Sequence, residues 1–313
     1  MTTREVSQAR AWAMAARPQT LPAAAAPVIV GTGLAVYEGV FAALPALFAF
    51  VGAALIQIGT NFANDYYDAV KGADTDEREG FTRVTQAGII EPKQVKLATL
   101  VTFGLAILSG IYLVYVGGLP ILAIGLVSVF CGWAYTGGPY PLGYHGLGDL
   151  FVFIFFGIVA VMGTFYVQAA AVAPVGPLPT TVPPGTVTLE AFVASLPIAG
   201  ISTAIIVVNN IRDRETDVEA GKNTLAVRFG YTFSRLEYVA LLGLAYVTPA
   251  WFWLARDFGL AVFLPVLTLP YGVLVARTVC TRTDGRALNP ALEQTGKLLA
   301  LYAILFTTGL VLA

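Results

Sequence analysis

The sequence predicts an all-α, polytopic membrane protein of nine transmembrane helices, folded as a single domain over residues 1–313. Three observations carry that prediction. Of the 313 residues, 57% are hydrophobic and 12% charged, whereas a soluble globular chain has about 45–50% and about 25%. The apolar residues fall into nine runs, each near the ~20 residues that a spanning helix needs. The charges gather on one side of those runs. The same composition excludes a disordered chain, a coiled coil and an ordinary soluble enzyme. A net charge of −1 without a basic tract excludes a nucleic-acid binder.

The elements follow in order. The opening MTTREVSQARAWAMAARPQT has an apolar stretch, 11–16, too short for a signal peptide. With Trp12 and Met14 beside Arg10 and Arg17, it reads as an interfacial amphipathic segment. Apolar runs follow at 21–37, 41–63, 97–116, 119–136, 150–171, 191–210, 236–255, 258–276 and 298–313. Their internal Gly and Pro are tolerated in membrane helices. With a cytoplasmic N-terminus, the cytoplasmic segments are that terminus and the loops 64–96, 137–149, 211–235 and 277–297. They hold three, five, none, five and four of the 18 basic residues, which leaves Arg256 alone on the far side. The far loops carry Glu38, Glu190 and Asp257. This asymmetry is the positive-inside pattern. It places the chain in a bacterial-type cytoplasmic membrane with its charged chemistry on the cytoplasmic face. Cys131 falls in a span and Cys280 on the cytoplasmic side, so no disulfide is expected.

Two acidic motifs close two of the runs. The first is NFANDYYDAVKGADTDER (61–78) and the second NNIRDRETDVEAGKNTLAVRFG (209–230). Asn64 and Asp68 are four apart and share one helix face, as do Asp213 and Asp217. Asn61 and Asn209 extend those faces one turn towards the membrane. Sliding the chain by 149 residues lays Asn61 on Asn210, Asn64 on Asp213, Asp68 on Asp217, Gly72 on Gly221 and Thr75 on Thr224. Such an internal repeat suggests two related halves, about 20–136 and 150–313, with facing acidic ends. Carboxylate and amide oxygens suit a hard cation such as Mg²⁺, which takes one or two carboxylates and completes its shell with water and phosphate. Two facing clusters would hold two or three ions over one diphosphate. Lys71, Arg78, Arg83, Arg212, Lys222 and Arg228 stand ready for the remaining phosphate oxygens. A charged mouth above an apolar bundle suits a substrate with a charged head and a hydrocarbon tail. A transporter with an acidic cation site is the reading from another class, since repeats and acids at helix breaks occur there too. Transporters, however, place their sites near the bilayer midplane, and these acids gather at one mouth.

The residues NDYYD with AVKGAD, and DRETD, resemble the N-D-x2-D and D-x3-D signatures of the UbiA superfamily of intramembrane prenyltransferases. ARPQTLPAAAAPVIVGTG (16–33), RVTQAGIIEPKQV (83–95), YTGGPYPLGYHGLGD (135–149) and ALNPALEQTGKLLALY (287–302) are similar to the 1,4-dihydroxy-2-naphthoate polyprenyltransferase branch of menaquinone biosynthesis. The resemblance implies nine helices around a central cavity, with cytoplasmic loops capping the site. It implies transfer of a polyprenyl group from an allylic diphosphate to an aromatic acid, with loss of CO₂. Related acceptors stay open: 4-hydroxybenzoate, homogentisate, haem or a chlorophyllide. By motif position, Asn64, Asp68, Asp74, Asp213 and Asp217 are the metal-site candidates. Asp65, Asp68, Asp213, Asp217 and Lys222 are the catalytic ones. Substrate contacts are expected from Arg17, Asn61, Lys71, Arg78, Arg83, Tyr135, Tyr140, Tyr144, Asp149, Asn209, Arg212 and Arg228. Tyr66 and Tyr67 join Tyr135 and Tyr140 as rings able to face an allylic cation. His145, the only histidine, reads as a loop residue. The expected partners are the two substrates and membrane lipid, with no obligate protein partner.

Overall fold

Helices make up nearly all of the computed structural model, which describes residues 7–70, 83–135, 137 and 139–313. They are α1 (Gln8–Ala16), α2 (Leu21–Tyr37), α3 (Ala43–Val70), α4 (Pro92–Ala134), α5 (Gly148–Val152), α6 (Ala160–Val172), α7 (Leu189–Arg212), α8 (Arg214–Glu219), α9 (Leu225–Arg256), α10 (Leu269–Thr281) and α11 (Gly285–Leu312). Among the described residues, eight helical stretches are long and apolar enough to cross a membrane, one fewer than the nine expected.

The difference lies in α4. Its backbone leaves the helix at Gly118, where φ is 69° and ψ −155°. A Cβ there would stand 1.7 Å from the Pro179 carbonyl oxygen, so only glycine fits. In a straight helix Phe103 and Gly132 would lie ~43 Å apart, at 1.5 Å per residue. Instead, a Cβ on Gly132 would sit 3.7 Å from the Phe103 ring. α4 is therefore a hairpin, and its two legs are the runs expected at 97–116 and 119–136.

Other boundaries move because polar residues continue helices. α3 runs seven residues past the expected 63, so residues 61–70 of the first acidic motif are helical. α10 and α11 leave only 282–284 between them, where a loop over 277–297 was expected. Asp284 starts α11 by accepting the Ala287 N–H at 3.1 Å, an N-cap. α1 is the expected amphipathic segment, with Ala11 and Ala15 buried and Trp12 edge-on to Phe62. Arg17 then turns the chain into α2 through a left-handed φ of 53°.

α7 is the most enclosed span. Its small residues permit this: Ala199 lies so close to Gly157 that a Cβ at Gly157 would meet it at 2.1 Å, and Gly200 abuts the Leu241 carbonyl. Without a hydrophobic force between helices in lipid, close approach of small residues supplies the packing. Leu100, Leu108, Ile111 and Phe130 on the α4 legs are exposed, as lipid-facing residues should be. Residues 153–159 form a π-helical turn between α5 and α6, and Phe155, Phe156 and Val159 from it line a cavity of about 530 Å³. That cavity is almost wholly apolar and extends from Tyr135 at the acidic end to Tyr115 and Leu178 at the other. Both cysteines are free, as expected.

Candidate active site

The last turns of α3 carry residues 61–70 of the first motif. Asp68, 2% exposed, accepts Arg83 Nη2 at 2.9 Å on one oxygen and the Tyr144 hydroxyl at 2.7 Å on the other. Asn64 lies one turn back and half-buried. Asp65 faces elsewhere: its Oδ2 accepts the Thr85 N–H and hydroxyl at 3.2 and 2.7 Å, and the Arg17 charge bears on it. Asp65 thus ties the 83–90 turn to α3. Asn61 donates to the Ala16 carbonyl and to Thr20 Oγ1, both at 2.9 Å, and so fastens α1 and the start of α2 to α3.

The second motif has a break that its spacing does not reveal. α7 stops at Arg212, Asp213 sits at φ −90° and ψ 7°, and Asp217 rides on the separate α8. The four-residue geometry survives, because the Asp217 N–H donates to the Asp213 carbonyl at 2.7 Å. Arg212 grips both Asp213 oxygens, at 2.6 and 2.7 Å, and donates to Asn209 Oδ1 at 2.6 Å and Asn289 Oδ1 at 2.9 Å. Lys222 stands 3.7 Å from Asp217.

Two tyrosines join the motifs. Tyr144 bonds Asp68 while Lys222 sits 4.9 Å above its ring. The Tyr144 carbonyl also accepts the Asn223 N–H at 2.8 Å. Tyr135 roofs the cavity, and its hydroxyl feels the charges of Asp149, Asp217 and Asp68 together. Asp149, 4% exposed, accepts Asn210 Nδ2 at 3.3 Å on each oxygen. The two acidic ends and the apolar cavity therefore meet at one place.

Some expected residues fall elsewhere. Tyr140 is 59% exposed, lines no part of the cavity and stacks on His145 at 3.6 Å. Arg228 is exposed and donates to the His145 carbonyl at 3.0 Å. Tyr67 accepts Trp133 Nε1 at 2.9 Å, and Tyr66 lies under Lys96. Lys71, Asp74 and Arg78 lie outside the described residues. Thr85, Asn289 and Asn210 hold site carboxylates or Arg212, and sequence reasoning gave them no role. Glu237 was also passed over because it opens a long apolar run. It sits in α9 within reach of the Asp149 charge, and its buried Oε2 has no hydrogen-bond partner among the described residues.

Among the described residues, no three carboxylate, imidazole or thiolate groups converge as a metal cage. The donors instead form two sets of one or two carboxylates each. That suits an ion which keeps water and phosphate in its shell, and it does not suit one enclosed by protein.

An all-helical membrane bundle with this polar roof over an apolar cavity defines a class, and the chain belongs to it. Residues 24–310 match the UbiA prenyltransferase family, and the chain is a member of that family. Among its relatives, the 1,4-dihydroxy-2-naphthoate octaprenyltransferase of Escherichia coli K12 is 39% identical over 100% of this chain and 99% of its own length. The protein of that name in Mycobacterium tuberculosis H37Rv is 36% identical over 94% of each. Of solved structures, a UbiA homologue from Aeropyrum pernix K1 has a TM-score of 0.68 at 13% identity, covering 93% of this chain and 97% of its own. A UbiA homologue from Archaeoglobus fulgidus bound to GPP and Mg²⁺ has a TM-score of 0.61 at 14% identity, covering 95% and 99%. These two share the fold.

Proposed function

We propose that this integral membrane protein transfers a polyprenyl group from an allylic diphosphate to 1,4-dihydroxy-2-naphthoate. The ring carboxyl leaves as CO₂, and the products are a demethylmenaquinol, the hydroquinone form, and diphosphate. The observation that carries this reading is the meeting of two acidic motifs above a full-depth apolar cavity. Relatives that match nearly the full length bear that activity in their names.

Asn64, Asp68, Asp213 and Asp217 supply oxygen donors for Mg²⁺, with Asp74 as a further candidate from the first motif. Bound there, Mg²⁺ supplies charge stabilisation for the departing diphosphate. Lys222 and Arg212 reinforce it, because each already lies against a motif carboxylate and can turn to phosphate oxygens. Arg83 does the same beside Asp68. The cavity walls hold the tail and exclude water from the allylic cation left when the C–O bonding pair goes to the diphosphate. Tyr135, at the junction of roof and cavity, faces that cation with its ring. Asp149 and Tyr144 orient the aromatic acid for attack by its ring carbon. The bond to the carboxyl then breaks, and its electron pair restores the aromatic ring. The one-sided basic residues support a cytoplasmic N-terminus and site.

The test uses detergent-purified protein with Mg²⁺, one allylic diphosphate and a panel of aromatic acids, read by mass. The naphthoate should give a prenylated product lacking CO₂, and Asp68→Ala and Asp217→Ala should abolish it. Full turnover by either variant, or preference for another acceptor, would overturn the assignment.

A further inference from the structure

We propose that the turn between α10 and α11 is a binding site for an anionic phospholipid, which takes the lipid's phosphodiester headgroup. A cleft of about 430 Å³ opens there between Arg277, Thr278 and Thr281 of α10, Arg282 and Asp284 of the turn, and Arg286 of α11. All three arginines are exposed. The one carboxylate lining the cleft is already engaged: Asp284 accepts Arg282 at 2.9 Å and the Ala287 N–H at 3.1 Å. No carboxylate among the described residues lies within ion-pair distance of Arg277 or Arg286. A fourth arginine reaches the turn from α9. Arg235 of α9 donates from Nη2 to the Arg282 carbonyl at 3.2 Å, while its buried Nε finds no partner among the described residues.

Among the described residues the cleft therefore carries more guanidinium than carboxylate charge, and phosphate is the anion that such planar forks suit. The surroundings select a lipid as its source. One turn deeper on α10, Val273 and Leu274 are 57% and 64% exposed, and Leu236 beside Arg235 is 66% exposed. Basic groups at a helix end thus sit directly above a lipid-facing apolar wall, an arrangement that holds the headgroup and acyl chains of one molecule together. The site is separate from the catalytic roof but shares its membrane face, since Asn289, one turn along α11 from Arg286, holds Arg212.

Native mass spectrometry of the full chain in detergent tests this, with titration by dioleoyl phosphatidylglycerol or dioleoyl phosphatidylcholine. The wild type should retain one phosphatidylglycerol at concentrations where phosphatidylcholine dissociates. Removing each arginine should weaken that binding roughly fivefold, the equivalent of about 1 kcal/mol per basic group. R277Q/R282Q/R286Q should then lose on the order of 100-fold, and R286Q alone about fivefold. R277K/R282K/R286K should keep most of the binding, and Lys93→Gln all of it. Thermal midpoints identify any variant that fails to fold, and the single R286Q then carries the test. Unchanged phosphatidylglycerol binding by the glutamine variants overturns the proposal. So does equal binding of phosphatidylcholine by the wild type, or displacement of the lipid by millimolar inorganic phosphate, which would make this a free-anion site.

Discussion

Tyr144→Phe isolates the joint between the two motifs. It removes one oxygen and leaves the ring, so Lys222 keeps its place 4.9 Å above that ring. The lost contact is the 2.7 Å hydrogen bond from the Tyr144 hydroxyl to Asp68 Oδ1. A hydrogen bond to a charged group contributes about 1.5–3 kcal/mol. Arg83 still holds the other oxygen, so Asp68 stays in the site but is free to rotate. If the bond sets the orientation in which Asp68 serves the diphosphate-bound metal, the full contribution appears in kcat/KM, a fall of about 10- to 150-fold. The Mg²⁺ concentration for half-maximal rate should rise with it. The assay is product formation from an allylic diphosphate and dihydroxynaphthoate across a Mg²⁺ series. A cycle with Asp68→Asn separates the cause: in that background Tyr144→Phe should cost little more. Unchanged kcat/KM and unchanged Mg²⁺ dependence in Tyr144→Phe would refute the reasoning.

Three further outcomes follow from the packing and the charges. Gly118→Ala places a Cβ on the Pro179 carbonyl at a positive φ, so the α4 hairpin cannot close, and folded protein recovered by size-exclusion chromatography should collapse. Asn61→Ala strips the Ala16 carbonyl of its Asn61 donor and leaves Thr20 Oγ1 with Gln57 alone of its two side-chain donors; about 1–3 kcal/mol should be lost, read as a lower thermal midpoint and earlier proteolysis of α1. Glu38, on the opposite membrane face, has its pKa raised by burial first and by Glu190 second, with Arg256 opposing. Its carboxylate therefore penalises the folded state above the unfolded pKa of about 4.3. Glu38→Gln should raise the thermal midpoint at pH 7, and that gain should vanish as the pH falls through 4.

Much of this was legible in the linear chain. Composition and run length announced spans because the bilayer is a solvent that admits only apolar helices of a set length. Even the α4 hairpin could be read as two runs, since Gly118 interrupts them. The acidic motifs were legible because helical spacing is local: Asn64 and Asp68 share a face wherever the helix goes. Legibility failed where a residue's role depends on a distant partner. Asp65 stands beside Asp68 among the catalytic candidates, yet its partner Thr85, 20 residues on, could not be read from the motif. Tyr140 looked like Tyr135, yet one stacks outside on His145 and the other roofs the cavity. Glu237 vanished into an apolar run.

By itself, then, the sequence determined that the chain spans a membrane, that its charge gathers between particular runs and that two acidic motifs close two of those runs. These properties follow from transfer free energies and local helical periodicity, which each segment carries alone. Only the tertiary structure decided that Tyr144 and Tyr135 bring the two motifs to one mouth, that Asn210 and Asn289 hold Asp149 and Arg212, and that three arginines line one cleft. Those contacts join residues such as Arg212 and Asn289, 77 positions apart, and the close packing of small residues along α7 helps to bring the helices together.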